Sequence, residues 1–210
     1  MFHVKHTLFS SRKNGVFHVK QLIINDQMEQ LTKEQKLTIL KRNVRNIPDF
    51  PIPGIQFKDV TTLFNTKESL SMLTDILLEE YKDKGITKVV GIESRGFIMG
   101  PIMALELGAG FVPIRKPGKL PADVFEEEYE KEYGTDKIQI HKDSLSPDDV
   151  VLIHDDLLAT GGTMFAAYNL VKKMGVKNIY VNFIIELELL KGRELFPKDV
   201  NLSALIKFDI

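Results

Sequence analysis

The stretch from Val150 to Met164 constrains this chain more than any other, because it sets three chemically different pieces in a fixed order. Val150 to Ile153 is an unbroken apolar run rich in β-branched residues, which predicts a strand buried on both faces, as in a parallel sheet. Asp155 and Asp156 stand at its carboxyl end. The small-residue turn Ala159-Thr160-Gly161-Gly162-Thr163 then opens into a helical pattern carried by Ala166, Ala167, Leu170, Val171 and Met174, with Gly175 as its stop. Glycines let the backbone come close to an anion, and the helix N-terminus adds partial positive charge and free N–H groups, so together they make a phosphate cradle. An acid pair one loop-width away can accept hydrogen bonds from two vicinal hydroxyls. A phosphate beside a diol is a ribose 5-phosphate. A lone Gly-Gly is more often an ordinary turn and a lone Asp-Asp a solvated loop. Their order at the carboxyl end of a buried strand, where α/β sheets bind ligands, favours the functional reading.

The same grammar recurs upstream. Residues 66–84 predict an amphipathic helix with Leu70, Leu73, Leu77 and Tyr81 on one face and Gly85 as its stop. Lys88 to Ile92 predicts a second buried strand, followed by Glu93-Ser94-Arg95-Gly96-Phe97 and a helix through Met103 to Leu107 that tolerates Pro101 only near its first turn. Gly110 to Ile114 predicts a third strand, ending in Arg115-Lys116-Pro117-Gly118-Lys119. Three cations beside Pro and Gly suit a diphosphate, and a solvated basic loop explains them equally well. Residues 122–136 are acidic and short of aliphatics, which predicts an exposed, flexible excursion; Ile138 and Ile140 then alternate with polar residues on a half-exposed strand. Asn178 to Ile185 predicts a further buried strand, and Val200 to Phe208 a polar-interrupted edge strand. Strands alternating with helices predict an α/β fold with a mostly parallel sheet flanked by helices.

Before this core, Thr32 and Gln35 form a capping box, and Leu37, Leu40, Val44 and Ile47 mark one face of a helix that must end before Pro48. Asn46 to Asp59 follows, with three prolines, a glycine and interleaved Phe50 and Phe57. As bare composition it is a rigid connector. Residues 1–27 carry no core pattern. Phe2-His-Val-Lys5 recurs as Phe17-His-Val-Lys20, and these four residues can be encoded by the perfect DNA palindrome TTTCACGTGAAA. The stretch reads as upstream DNA translated from a misplaced start, with Met28 the true one, or as a disordered arm, leaving 28–210 as the single domain.

The Asp155-Asp156-Leu-Leu-Ala-Thr-Gly-Gly-Thr163 segment resembles the phosphoribosyl-diphosphate (PRPP) motif of type I phosphoribosyltransferases, in the form carried by the adenine-specific family. Pro48-Asp-Phe-Pro-Ile-Pro-Gly54, Glu132-Tyr133-Gly134 and Glu186-Leu187 through Lys191-Gly-Arg-Glu194 are similar to that family in the same order, over essentially all of 28–210. The resemblance implies a small hood over a base pocket and the reaction of adenine with PRPP to give AMP and diphosphate. It implies Phe57 against the purine, Gln56 backbone groups on the adenine edge, and Leu187 as the opposite wall. By the same resemblance Ser94, Arg95 and Gly96 would form the diphosphate loop, which in the family often holds a cis peptide, and Arg95 would also border the base. Asp155 and Asp156 would fix the ribose hydroxyls, Ala159 to Thr163 would hold the 5-phosphate, and Arg115, Lys116 and Lys119 would neutralise the diphosphate. Glu132, on a lid with Tyr133, would manage the purine proton. Magnesium would be held mainly by PRPP and water rather than by protein ligands, and a cytoplasmic homodimer is expected.

Rival expectations remain: an enzyme for another base such as xanthine or hypoxanthine, or a regulator that senses PRPP. A nucleic-acid-binding regulator should show a basic face, whereas the net charge is −1. The absence of cysteine excludes disulfides and thiolate metal sites. No apolar run is long enough to span a membrane.

Overall fold

The computed structural model describes residues 30–130 and 134–209. The proposed arm or misread start, 1–27, lies outside them. The capping box is formed: Thr32 Oγ1 accepts from the Gln35 amide at 3.2 Å, and Gln35 Oε1 accepts from the Thr32 amide at 2.9 Å. It starts helix α1 (Lys33–Asn43). The helix stops four residues short of the expected face, because Ile47 lies in strand β1 (Arg45–Pro48), where it pairs with Phe57 of the antiparallel strand β2 (Gln56–Asp59). A residue before proline is pushed to extended backbone, so the spacing that suggested a helical Ile47 loses to Pro48. Together β1 and β2 make the small hood.

Helix α2 (Lys67–Tyr81) is capped by Thr66, whose hydroxyl accepts from the Ser69 amide. Strand β3 (Lys88–Ile92), helix α3 (Gly96–Glu106) and strand β4 (Gly110–Ile114) follow. Pro101 is not near the first turn as expected. It sits within α3, which runs on to Glu106.

Over its described residues the acidic stretch is a hairpin rather than an open excursion. Strand β5 (Val124–Glu130) pairs antiparallel with β6 (Thr135–His141), Phe125 facing Ile140 and Tyr129 facing Asp136. Phe125, Glu127 and Tyr129 alternate inward between exposed Glu126, Glu128 and Glu130. Glu127 takes an inward place by pairing with Lys173. The hairpin packs on helix α4 (Gly162–Lys173), Tyr129, Ile138 and Ile140 joining Ala166, Ala167 and Leu170 in one core.

Strand β7 (Val150–Leu158) is longer than expected and carries the acid pair inside it rather than beyond its end. With β8 (Asn178–Leu187) and β9 (Asn201–Phe208) it completes a five-stranded parallel sheet in the order β4-β3-β7-β8-β9. The fold is therefore α/β, and β9 is an edge strand. Val90, Val151 and Ile153 face the α4 side, while Val89 and Leu152 face α1, α2 and α3. Burial on both faces is what gives β7 its unbroken apolar start. Among the described residues, no helix is long and apolar enough to cross a membrane.

Candidate active site

The carboxyl ends of β3, β4, β7 and β8 meet at one edge of the sheet, and a chain of contacts ties their loops together. Glu93, just after β3, receives Arg115 from the end of β4 in a fork: Nε to Oε2 at 3.1 Å and Nη2 to Oε1 at 3.2 Å. The Lys116 amide donates to Glu93 Oε2 at 3.0 Å. The Arg115 fork, joined by that amide, holds the Glu93 carboxyl below the usual range. The Glu93–Ser94 peptide is cis. Next, Arg95 Nη1 lies 3.0 Å from Asp156 Oδ2 on β7, an ion pair without hydrogen-bond alignment, since that buried oxygen has no hydrogen-bond donor. Gly96 starts α3 against β7 so closely that a Cβ there would meet the His154 carbonyl oxygen at 2.6 Å.

The cradle follows. Gly161 is the N-cap of α4 with φ 85°, and no side chain caps the helix. Phe165 is the first amide to turn back, donating to the Gly161 carbonyl, so the amides of Gly162, Thr163 and Met164 are the orphan donors of the first turn. Their direction and the helix dipole suit a phosphate. Gly192, in the short 3₁₀ segment after β8, supports the turn from beneath. A Cβ on Gly161 would sit 2.6 Å from the Gly192 carbonyl oxygen, and one on Gly192 would clash with that of Ala159. Arg193 anchors this segment, forking onto Glu186 at 2.9 and 2.7 Å and donating to the Leu202 carbonyl at 2.8 Å. Sequence reasoning assigned Gly192 no role; only the contact with Gly161, distant in sequence, reveals one.

Asp156 is 1% exposed. Burial raises its pKa, and Arg95 works against that. Asp155 keeps some surface, but enclosure of its carboxyl and the charge of Asp156 push it well above the usual range. Two enclosed acids with one cation between them are short of donors, which a vicinal diol supplies.

Lys116, the second of the three cations expected at the diphosphate, is engaged as well. Lys116 Nζ donates to Tyr129 Oη at 2.8 Å and to Asp136 Oδ2, both on the β5–β6 hairpin, and lies 5.3 Å from the centre of the Tyr129 ring. Partial burial lowers the Lys116 pKa, and these hydrogen bonds more than offset it, leaving it raised. The same hairpin reaches the cradle, since a Cβ on Gly162 would lie 3.3 Å from the Glu130 carbonyl oxygen. Lys119 closes the turn with its amide on the Lys116 carbonyl, and its own carbonyl accepts from Arg115. Glu132 and Tyr133 lie outside the described residues.

On the hood, Phe57 packs edge-on to Phe50 at 5.1 Å. Gln56 Oε1 accepts from Asn46 Nδ2 at 2.7 Å, and Asn46 Oδ1 accepts from Lys58 Nζ at 3.0 Å. Lys58 Nζ lies 4.7 Å above the ring of Phe208, the register partner of Leu187. The hood thus reaches the end of β9 beside the expected second wall. Among the described residues there is no group of three or more His, Asp or Glu that could hold a metal.

Behind the acid pair runs a buried polar ladder. His154 Nδ1 bonds to Asn182 Oδ1 at 2.9 Å, Asn182 Nδ2 donates to Ser203 Oγ at 3.0 Å, and Ser203 Oγ bonds to Tyr81 Oη at 2.6 Å. Burial lowers His154 from 6.5 to about 4. Folded His154 therefore stays neutral where the unfolded chain takes up a proton, so its contribution is complete above pH 6.5 and is lost as pH falls towards 4. At about 1.4 kcal/mol per pH unit the loss is about 3 kcal/mol. Asp155 and Asp156, with raised values, work in the opposite sense. The signature is therefore a difference: in denaturant unfolding, the gap between wild type and His154→Gln narrows by about this amount from pH 7 to pH 4. A gap constant with pH would mean that His154 is not held neutral.

Known proteins share this architecture. Residues 59–198 match the family model described as a phosphoribosyl transferase domain. The adenine phosphoribosyltransferase of Bacteroides fragilis is 69% identical over 160 residues, covering 76% of this chain and 90% of that protein. The crystal structure of adenine phosphoribosyltransferase from Rhodothermus marinus is 48% identical with a TM-score of 0.77, covering 82% of this chain and 98% of that one. The Giardia lamblia enzyme, solved with 9-deazaadenine, is 47% identical with a TM-score of 0.78, covering 83% of this chain and 98% of that one.

Proposed function

This chain belongs to the phosphoribosyl transferase family, and from that premise we infer its reaction: adenine attacks the anomeric carbon of PRPP, giving AMP and diphosphate. The juxtaposition that carries the reading is an uncapped helix N-terminus beside the Asp155–Asp156 pair, in which buried Asp156 Oδ2 has no hydrogen-bond donor, on a chain 69% identical to an adenine phosphoribosyltransferase.

Each loop then has a task. The amides of Gly162, Thr163 and Met164, with the Ala159–Thr163 turn, hold the 5-phosphate. Asp155 and Asp156 accept hydrogen bonds from the ribose hydroxyls and place negative charge near the anomeric centre as it gains oxocarbenium character, as in glycosyl transfer generally. Arg95, Lys116 and Lys119 face the leaving diphosphate. Arg115 is committed to Glu93, so its share is to shape the loop that presents Lys116. Phe57 and Leu187 clasp the purine, and Glu132 manages its proton. Magnesium fits this donor set as a companion of PRPP: it would offset charge on the diphosphate and be bound chiefly by substrate oxygens and water. A cytoplasmic setting is part of the same reading. So is a homodimer, supported by the exposed Ile98 and Leu105 on α3, apolar side chains that a second copy would cover.

The test is direct: incubate the protein with magnesium, PRPP and adenine, hypoxanthine, xanthine or orotate in turn, and separate the products. AMP from adenine alone is expected. Nucleotide from another base and none from adenine would overturn the base assignment.

A further inference from the structure

We propose that Asp136 is an internal rival of the diphosphate: its carboxylate pairs with Lys116, so that PRPP must displace it to gain that cation. The proposal rests on the reading of Lys116 as a diphosphate contact. It goes beyond it by assigning a role to a residue outside the substrate-binding loops, one that sets co-substrate affinity.

The geometry has three parts. Lys116 projects from the loop after β4, with its side chain 36% exposed and the Asp136 side chain 23% exposed. The pair is therefore shielded enough to matter and open enough to exchange. Lys116 Nζ donates to Asp136 Oδ2 and to Tyr129 Oη, and Tyr129 Oη also donates to Asp136 Oδ2 at 3.2 Å. Asp136 and Tyr129 face each other across the β5–β6 hairpin, so the carboxylate is held by a paired backbone rather than by a loose side chain. An ammonium has three donors in all. Two are committed here, and a phosphate group arriving at Lys116 competes for them with a single carboxylate of lower charge. Exchange at Lys116 also bears on the other end of the site, because Glu130 and Tyr129 abut Gly162 of the cradle.

This arrangement has a sign that a supporting residue would not produce. Removing a structural prop weakens binding, whereas removing a rival tightens it. Calorimetric titration with PRPP, and separately with inorganic diphosphate, both with magnesium, should show Asp136→Asn binding about three- to tenfold tighter than wild type, the scale of a half-shielded ion pair. Inhibition by product diphosphate should strengthen in parallel. In a Lys116→Met background the same Asp136→Asn change should leave the affinity unaltered, because nothing remains to compete for. Asp136→Ala, which also removes the hydrogen bonds, guards against a gain peculiar to the amide, and melting curves confirm that each variant is folded. Equal or weaker PRPP binding by both folded Asp136 variants overturns the proposal. A gain of equal size with and without Lys116 also overturns it, since that would be a general effect of deleting one negative charge. If Lys116→Met binds PRPP as tightly as wild type, the failure lies earlier, in the assignment of Lys116 to the diphosphate, and the rivalry falls with it.

Discussion

Gly161→Val is expected to eliminate measurable PRPP binding while the sheet remains folded. Two independent penalties meet at this residue. Its φ of 85° lies in the left-handed region, where a non-glycine residue costs roughly 1–2 kcal/mol and a β-branched one more. A Cβ would also stand 2.6 Å from the Gly192 carbonyl oxygen, a backbone atom that cannot rotate away. The turn must therefore move, and with it the first amides of α4 that would bind the 5-phosphate. The change lies beyond Leu158, where β7 ends, so the ladder with β3 and β8 is untouched. Calorimetry with PRPP and a melting curve separate the two effects. Unchanged affinity in a folded variant would mean that the 5-phosphate does not sit on this turn.

Glu132→Gln should lower turnover with adenine by about 100-fold or more and barely change PRPP affinity. The amide is isosteric but cannot accept the purine proton, and a positioned base typically contributes on the order of 10²–10⁴-fold. The assignment rests on the Glu132-Tyr133-Gly134 motif; of the described residues that flank it, Glu130 pairs with Thr135 and its carbonyl lies against Gly162. The comparison variant needs care. Glu127 is ion-paired to Lys173 of α4, so changing it would disturb the packing of the hairpin. Glu128, with a side chain 54% exposed and a loose 3.7 Å contact to Lys137, is the better reference, and Glu128→Gln should match wild type. Wild-type turnover by Glu132→Gln, with chemistry rate-limiting, removes Glu132 as the base. An equal loss in both variants would point to the overall charge of the hairpin.

Where side-chain pattern and local backbone preference agree, the sequence shows the element plainly. Lys88–Ile92 and Gly110–Ile114 form strands over the expected residues, because each is a short apolar run. It misleads where a pattern is carried by an unexpected residue type. The period-two alternation of β5 is present, but Glu127 occupies an inward place that only its partner Lys173 makes tolerable. Asp155 and Asp156 read as the end of a strand because carboxylates are rarely enclosed. In the structure they continue β7, with Arg95 as the ion-pair partner of Asp156. The candidate site was legible in its loops, since glycines, acids and cations cluster locally. Contacts between loops were not: Gly161 with Gly192, Glu93 with Arg115 and Lys116 with Asp136 join residues about 20 or more positions apart, and nothing in either stretch names the other.

The ladder from His154 to Tyr81 has a consequence for how the strands find their alignment. Apolar strands buried on both faces carry little information about register, since a slip replaces one aliphatic contact by another. In β7, β8 and β9 the side chains of His154, Asn182 and Ser203 are directly opposite one another and bonded in series. A slip of one residue would strand buried His154 and Asn182 against hydrocarbon, at about 1–3 kcal/mol each, and unpair half-buried Ser203. The row acts as a key cut across three otherwise smooth bars. Only one alignment admits it, and that alignment sets Asp155 and Asp156 at the height where Arg95 meets them.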